Sequence, residues 1–133
     1  MEGFPVPITA VIAALNALIL MALAAMIPAR RMKAQVNLGT GESDELLRAV
    51  RAHGNATEYI PIALILILIL ELLGAPAALL WGLGAVLTVA RLAHPIAIYK
   101  HTGPSLFRGI GVLGSVAAIV VAALACLYYG LSI

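Results

Sequence analysis

The sequence predicts an all-α protein, a four-transmembrane-helix bundle with up-down topology. Three observations predict it. Hydrophobic residues make up 63% of the 133-residue chain and charged residues 11%, against roughly 45–50% and about 25% in soluble proteins. Residues 3–29, 72–90 and 109–133 carry no charge, and each can cross a hydrocarbon core that needs about 20 residues of helix. A fourth apolar run, residues 59–70, is bounded by Glu58 and Glu71. It spans only if those acids sit near the interfaces or against other helices. The length reads as a single domain, residues 1–133.

The basic residues orient the bundle. Arg30, Arg31, Lys33, Arg48 and Arg51 flank the first connection, and Arg91, Lys100 and Arg108 the third. The positive-inside rule puts both connections in the cytoplasm and both termini outside. Topology therefore accounts for the net charge of +2, and nucleic acid is not an expected partner. Cys126 stands alone, which leaves no internal disulfide and suggests a packing role.

The first helix is expected over about residues 7–28, with Pro7 in its first turn, where a missing N–H is harmless. It lacks the basic n-region of a signal peptide, and its apolar run of residues 8–27 exceeds the usual 7–15 or so. Asn16 lies at mid-membrane and reads as an interhelical hydrogen bond. A polar loop follows over residues 33–42, with turn chemistry at Asn37, Gly39 and Gly41. Ser43 is the expected N-cap of the second helix, over about 43–73, and Asp44 and Glu45 suit its positive end. That helix is longer than the bilayer core and projects beyond it. Pro61 leaves the Thr57 carbonyl without its helical donor, so a bend is expected there. Gly74 and Ala75 form a tight turn into a third helix, over about 76–99, which Pro95 kinks or ends. The fourth, over about 105–131, starts near Ser105 after a turn at residues 100–104. It finishes at the interfacial pair Tyr128 and Tyr129. Its Gly111, Gly114, Ser115 and Ala118 give the small-residue spacings of close helix packing.

One stripe carries the functional signal. At about 100° per residue, Arg51, Asn55 and Glu58 share an arc of roughly 60°, which Arg48 widens to about 80°. His53 lies about 160° away on the same count. Polar groups at membrane depth are costly and face a bundle interior or a watery cavity. Arg91, His94, Arg108, Arg30 and Arg31 fall at the same level by topology. Together they make a cationic rim around one deeper carboxylate, suited to an anionic, hydrogen-bonding ligand. No Cys/His/carboxylate spacing suits a metal, and no nucleophilic triad or phosphate loop stands out.

The string Arg51-Ala52-His53-x-Asn55-x-x-Glu58-x-x-Pro61 resembles the signature of the MAPEG family, membrane-associated proteins in eicosanoid and glutathione metabolism. Arg91-Leu92-Ala93-His94 matches that family's second recurrent motif, and Arg108 falls where an arginine opens its fourth helix. The likeness covers nearly the whole chain and is closest to small bacterial members. It implies an integral protein of a bacterial inner membrane, assembled as a homotrimer, with glutathione as co-substrate between subunits. By the same resemblance Arg51, Asn55 and Glu58 hold the peptide, with Glu58 at the glutamyl ammonium. Arg91 and His94 support the site, Arg31 reaches it from the first helix, and Tyr99 stands in for a family tyrosine whose own place is taken by Ile98. Arg108 is the expected catalytic residue, a cation that favours the thiolate. Gly54 and Gly109 replace polar residues of well-known members.

The function implied is a glutathione transferase or peroxidase. It would conjugate the thiolate to lipophilic electrophiles or reduce lipid hydroperoxides. Two alternatives belong to other classes: a non-catalytic lipid- or glutathione-binding protein, and a small proton-coupled exporter using Glu58. Exporters of that size place their essential acid within the first helix, and here that helix carries none beyond Glu2.

Overall fold

The computed structural model describes residues 5–100 and 106–132. They form four helices: α1 (Pro7–Ala34), α2 (Asp44–Leu72), α3 (Ala77–Lys100) and α4 (Leu106–Leu131). All four are long and apolar enough to cross a membrane. The expected helix start at Ser105 and most of the turn before it, residues 101–104, lie outside the described residues.

Local chemistry sets most of the ends. The Ser43 side chain accepts from the Leu46 N–H at 3.2 Å, and Asp44 and Glu45 occupy the first turn of α2. After α2, Gly74 takes φ +76°, a left-handed turn that glycine adopts without steric cost. The Pro76 carbonyl accepts from Leu79 and Leu80, which puts Pro76 just ahead of α3 rather than inside it. The first helix does not stop at Pro28. It continues to Ala34 and ends on Gln35 in the left-handed conformation, with the Gln35 and Val36 N–H groups donating to Met32 and Arg31 carbonyls. Pro61 and Pro95 likewise lie within α2 and α3. Proline is tolerated inside membrane helices where neighbouring groups compensate for the lost donor.

The start of α1 has no cap from its own sequence. Glu71, at the far end of α2, supplies one. Its carboxylate accepts from the Ile8 N–H at 2.9 Å and the Thr9 N–H at 2.7 Å. An anion at a helix N-terminus is favoured by both the free N–H groups and the dipole. This is how the second acid bounding the short apolar run is accommodated: it sits against another helix.

Among the described residues every pair of helices touches except α1 and α4. Helices α2 and α3 thus form the middle of the bundle, with α1 and α4 on opposite flanks. The buried stripe of α2 runs Leu46, Ala49, Ala52, Ala56, Ile60, Ala63, Ile67 and Leu70, a three-four spacing. Its alanines let neighbouring backbones approach closely, which is how helices gain dispersion energy in lipid. Helix α4 does the same with Gly111, Ser115, Ala118 and Ala122. A Cβ on Gly111 would lie 2.6 Å from His94 Cβ and 2.8 Å from His94 Cα, so α3 and α4 cross there almost backbone to backbone. At mid-membrane the fully buried Asn16 donates to Thr88 Oγ1 at 3.0 Å, the interhelical bond expected of it. Cys126 packs half-buried with its thiol 3.5 Å from the Leu66 carbonyl.

Candidate functional site

Helices α2, α3 and α4 enclose a cavity of about 200 Å³ lined by Val50, Arg51, Gly54, Asn55, Glu58, His94, Ile98 and Arg108. Five of the residues singled out from sequence therefore meet in one place. The polar stripe of α2 forms one wall because it flanks the buried alanines at Ala52 and Ala56, which press α2 into the bundle. Arg51, Glu58 and Arg108 are exposed at the mouth, whereas His94 is buried. Gly54 leaves open space, since a Cβ there would meet nothing within 4 Å. His94 is held at the α3–α4 crossing by the contact with Gly111.

Arg91 takes no part in the lining. It is only 1% exposed and lies behind the wall. One terminal nitrogen donates to Asn55 Oδ1 at 2.7 Å, and the other donates to the Gly111 carbonyl at 2.6 Å. Its guanidinium carbon sits 5.1 Å from the centre of the Tyr59 ring, within cation–π range. One side chain thus ties α3 to both α2 and α4. Arginine has donors and no acceptor, so the Asn55 oxygen must face Arg91. The Asn55 NH₂ is then the end left for the cavity.

The candidates Arg31, Arg30 and Tyr99 sit elsewhere. Arg31 donates to the Gly39 carbonyl at 2.8 Å and holds the loop. Arg30 donates to the Met26 carbonyl, lies 3.6 Å from Glu45 and stacks 5.2 Å above the Tyr99 ring. Lys33 reaches Glu45 at 2.8 Å. Tyr99 is turned away from the cavity, its hydroxyl against Met26 Sδ at 3.8 Å. Ile98 lines the cavity instead, so this chain brings no tyrosine hydroxyl of its own into that position. Neither Arg48 nor His53 lines the cavity. Sequence reasoning missed Val50 as an apolar part of the wall. Its place four residues before Gly54, on the same helix face, was the available signal.

Chemically the cavity offers two guanidinium groups, a carboxylate, an amide donor and an imidazole around a small apolar patch. Such a set matches a zwitterionic ligand with more negative than positive groups, because Arg grips carboxylates and Glu58 takes an ammonium.

Residues 9–128 match the MAPEG family. The chain is 37% identical over 122 residues to "Inner membrane protein YecN" of Escherichia coli strain K12, covering 92% of both chains. The same identity and coverage hold for the protein of that name in Escherichia coli O6:H1. That name states a location and no reaction. No solved structure matches the chain.

Proposed function

The chain belongs to the MAPEG family, and from that premise we propose that it is an inner-membrane glutathione transferase or peroxidase whose ligand occupies the Arg51/Asn55/Glu58 cavity. The observation that carries the proposal is the convergence of Arg51, Asn55, Glu58, His94 and Arg108 on one cavity from three helices. The inner-membrane placement follows from four membrane-length helices and from the relative's name.

Glutathione has two carboxylates, one ammonium and a thiol, and the cavity's groups complement them. Glu58 takes the glutamyl ammonium. Arg51 and the Asn55 amide take carboxylate or peptide oxygens. Arg108 stands at the mouth on α4 and faces the sulfur. A thiol with an ordinary pKa of about 8.5 ionises more readily beside a cation. The thiolate then displaces a leaving group from a lipophilic electrophile. In the peroxidase case it attacks a hydroperoxide oxygen, releasing the alcohol and leaving a sulfenic acid. A second glutathione converts the sulfenic acid to the disulfide and water. Each helix carries exposed apolar side chains, which suits a membrane-dissolved second substrate.

Arg31 and Tyr99 do not line their own chain's cavity. In this reading Arg31 reaches glutathione across a subunit boundary, which fits a homotrimer with both basic connections in the cytoplasm, and Tyr99 belongs to a separate apolar groove. The test is glutathione titration of purified protein, followed by thiolate ultraviolet absorbance and turnover of a hydroperoxide and an aryl halide. Saturable binding with a thiolate signal supports the proposal. Binding without that signal favours a non-catalytic glutathione-binding protein, and no binding removes the ligand assignment.

A further inference from the structure

A second concavity lies on another face of α3. It is an apolar groove of about 560 Å³ between Leu18, Leu23 and Met26 of α1 and Leu92, Tyr99 and Lys100 of α3. No residue is shared with the polar cavity. Helices α1 and α3 run in the same direction, so the groove has two distinct ends. Leu18 and Leu92 mark the deep end, both exposed and apolar. Met26, Tyr99 and Lys100 mark the shallow end, with the Arg30 guanidinium resting on the Tyr99 ring. From residue 18 to residue 26 the groove extends roughly 12 Å at about 1.5 Å per residue, close to the half-thickness of about 15 Å for one leaflet.

We propose that this groove binds one acyl chain of an anionic phospholipid from the surrounding leaflet, with the phosphate at Lys100. Charge complementarity selects the occupant. The polarity of the groove changes once along its length, apolar and then cationic, as a lipid changes from tail to anionic headgroup. Basic pockets between membrane helices bind such headgroups. Lys100 lines the groove at its shallow end, and the long stem of a lysine can lie along apolar surface with its ammonium at the headgroup level. Arg30 is engaged by Met26 and Glu45, so it adds positive field while Lys100 makes the contact.

Native mass spectrometry and thermal unfolding of the purified full chain test this, with added phosphatidylglycerol, phosphatidylcholine or oleate. Wild type should retain phosphatidylglycerol in preference to phosphatidylcholine and unfold at higher temperature with it. Lys100→Gln should cut that preference by about fivefold, the loss expected for one lysine near an anionic headgroup. Ala22→Trp, which fills the groove, should abolish the adduct and leave glutathione titration unchanged. Equal retention of both phospholipids by wild type would overturn the proposal. Oleate held more tightly than phosphatidylglycerol would overturn the phospholipid assignment. A change of oligomeric state in Ala22→Trp would identify the groove as an interface between copies.

Discussion

Arg91 and Asn55 form a polarised pair across the α2–α3 interface, with the guanidinium donating to the amide oxygen at 2.7 Å. Because arginine only donates, the pair has one possible sense, and the Asn55 NH₂ is directed away from Arg91. The candidate site therefore presents a hydrogen-bond donor at this position, whatever ligand it takes. Asn55→Asp reverses that polarity while preserving, and electrostatically strengthening, the bond to Arg91. The expected result is unchanged or raised thermal stability with glutathione affinity lowered about tenfold or more, the worth of a charge-assisted hydrogen bond. Calorimetric titration and thermal unfolding of one protein sample measure both. Tighter binding by the Asp variant would mean that the ligand does not accept a hydrogen bond from Asn55.

Removing the other partner has the opposite signature. Arg91→Ala leaves Asn55 Oδ1 and the Gly111 carbonyl without the donor that joins them, and it deletes the tie between three helices. The Gly111 carbonyl keeps its bond from Ser115 Oγ at 3.0 Å, so the acceptor left unpaired is Asn55 Oδ1, at about 1–3 kcal/mol. Stability should fall first, and glutathione binding only through the loosened wall.

Glu58 should discriminate by ligand charge. Glu58→Gln keeps the size and hydrogen-bonding reach but loses the negative charge, so affinity for glutathione should drop roughly tenfold. Affinity for an N-acetylated glutathione, which has no ammonium, should change little. A cycle of two proteins and two ligands isolates that coupling. Equal losses for both ligands would remove the ammonium assignment. Arg51→Ala should weaken both ligands alike.

Two glycines near one another on α4 should behave differently. At Gly111 an added Cβ would lie 2.6 Å from His94 Cβ, and at Gly109 it would meet nothing within 4 Å. Gly111→Ala should destabilise by about 1–3 kcal/mol, as overpacking does, and should shift His94 in the cavity. Gly109→Ala should stay within about 0.5 kcal/mol of wild type. Unfolding curves of the two variants decide the matter.

Glu71→Ala should expose the cost of the interhelical cap. Losing the carboxylate at the Ile8 and Thr9 N–H groups should cost about 1–2 kcal/mol, in the upper range for a helix cap. Glutathione affinity should be unaffected, because Glu71 and the cavity lie at opposite ends of α2. A parallel loss of affinity would show that the two ends are coupled.

The sequence made some of this legible and hid the rest for a physical reason. The Arg51/Asn55/Glu58 stripe was readable because α2 alternates alanine and polar residues at helical spacing, so its inward face is marked. Helix α3 is not marked. It is apolar nearly all round, because a membrane helix is greasy toward lipid and toward its neighbours alike. Leu92 and Ile96 are exposed while Leu87 and Ile98 are buried, and no pattern in the sequence separates them. The rotation of α3 decides that Arg91 supports the wall, that Ile98 lines the cavity and that Tyr99 faces the groove. Helix α1 runs past its expected end near residue 28 to Ala34 for a related reason: a proline that stops a helix in water is tolerated within one in lipid. Glu71 was recognised as an awkward acid, but its partners on α1 lie about sixty residues earlier in the chain.

That separation has a consequence for biogenesis. The carboxylate that caps α1 is synthesised long after α1 itself, so the first turn of α1 enters the bilayer without it. The cap forms only when α2 has crossed in full and delivered Glu71 to the same side. The first two spans are therefore completed together, and a hairpin inserted one turn out of register cannot close its latch.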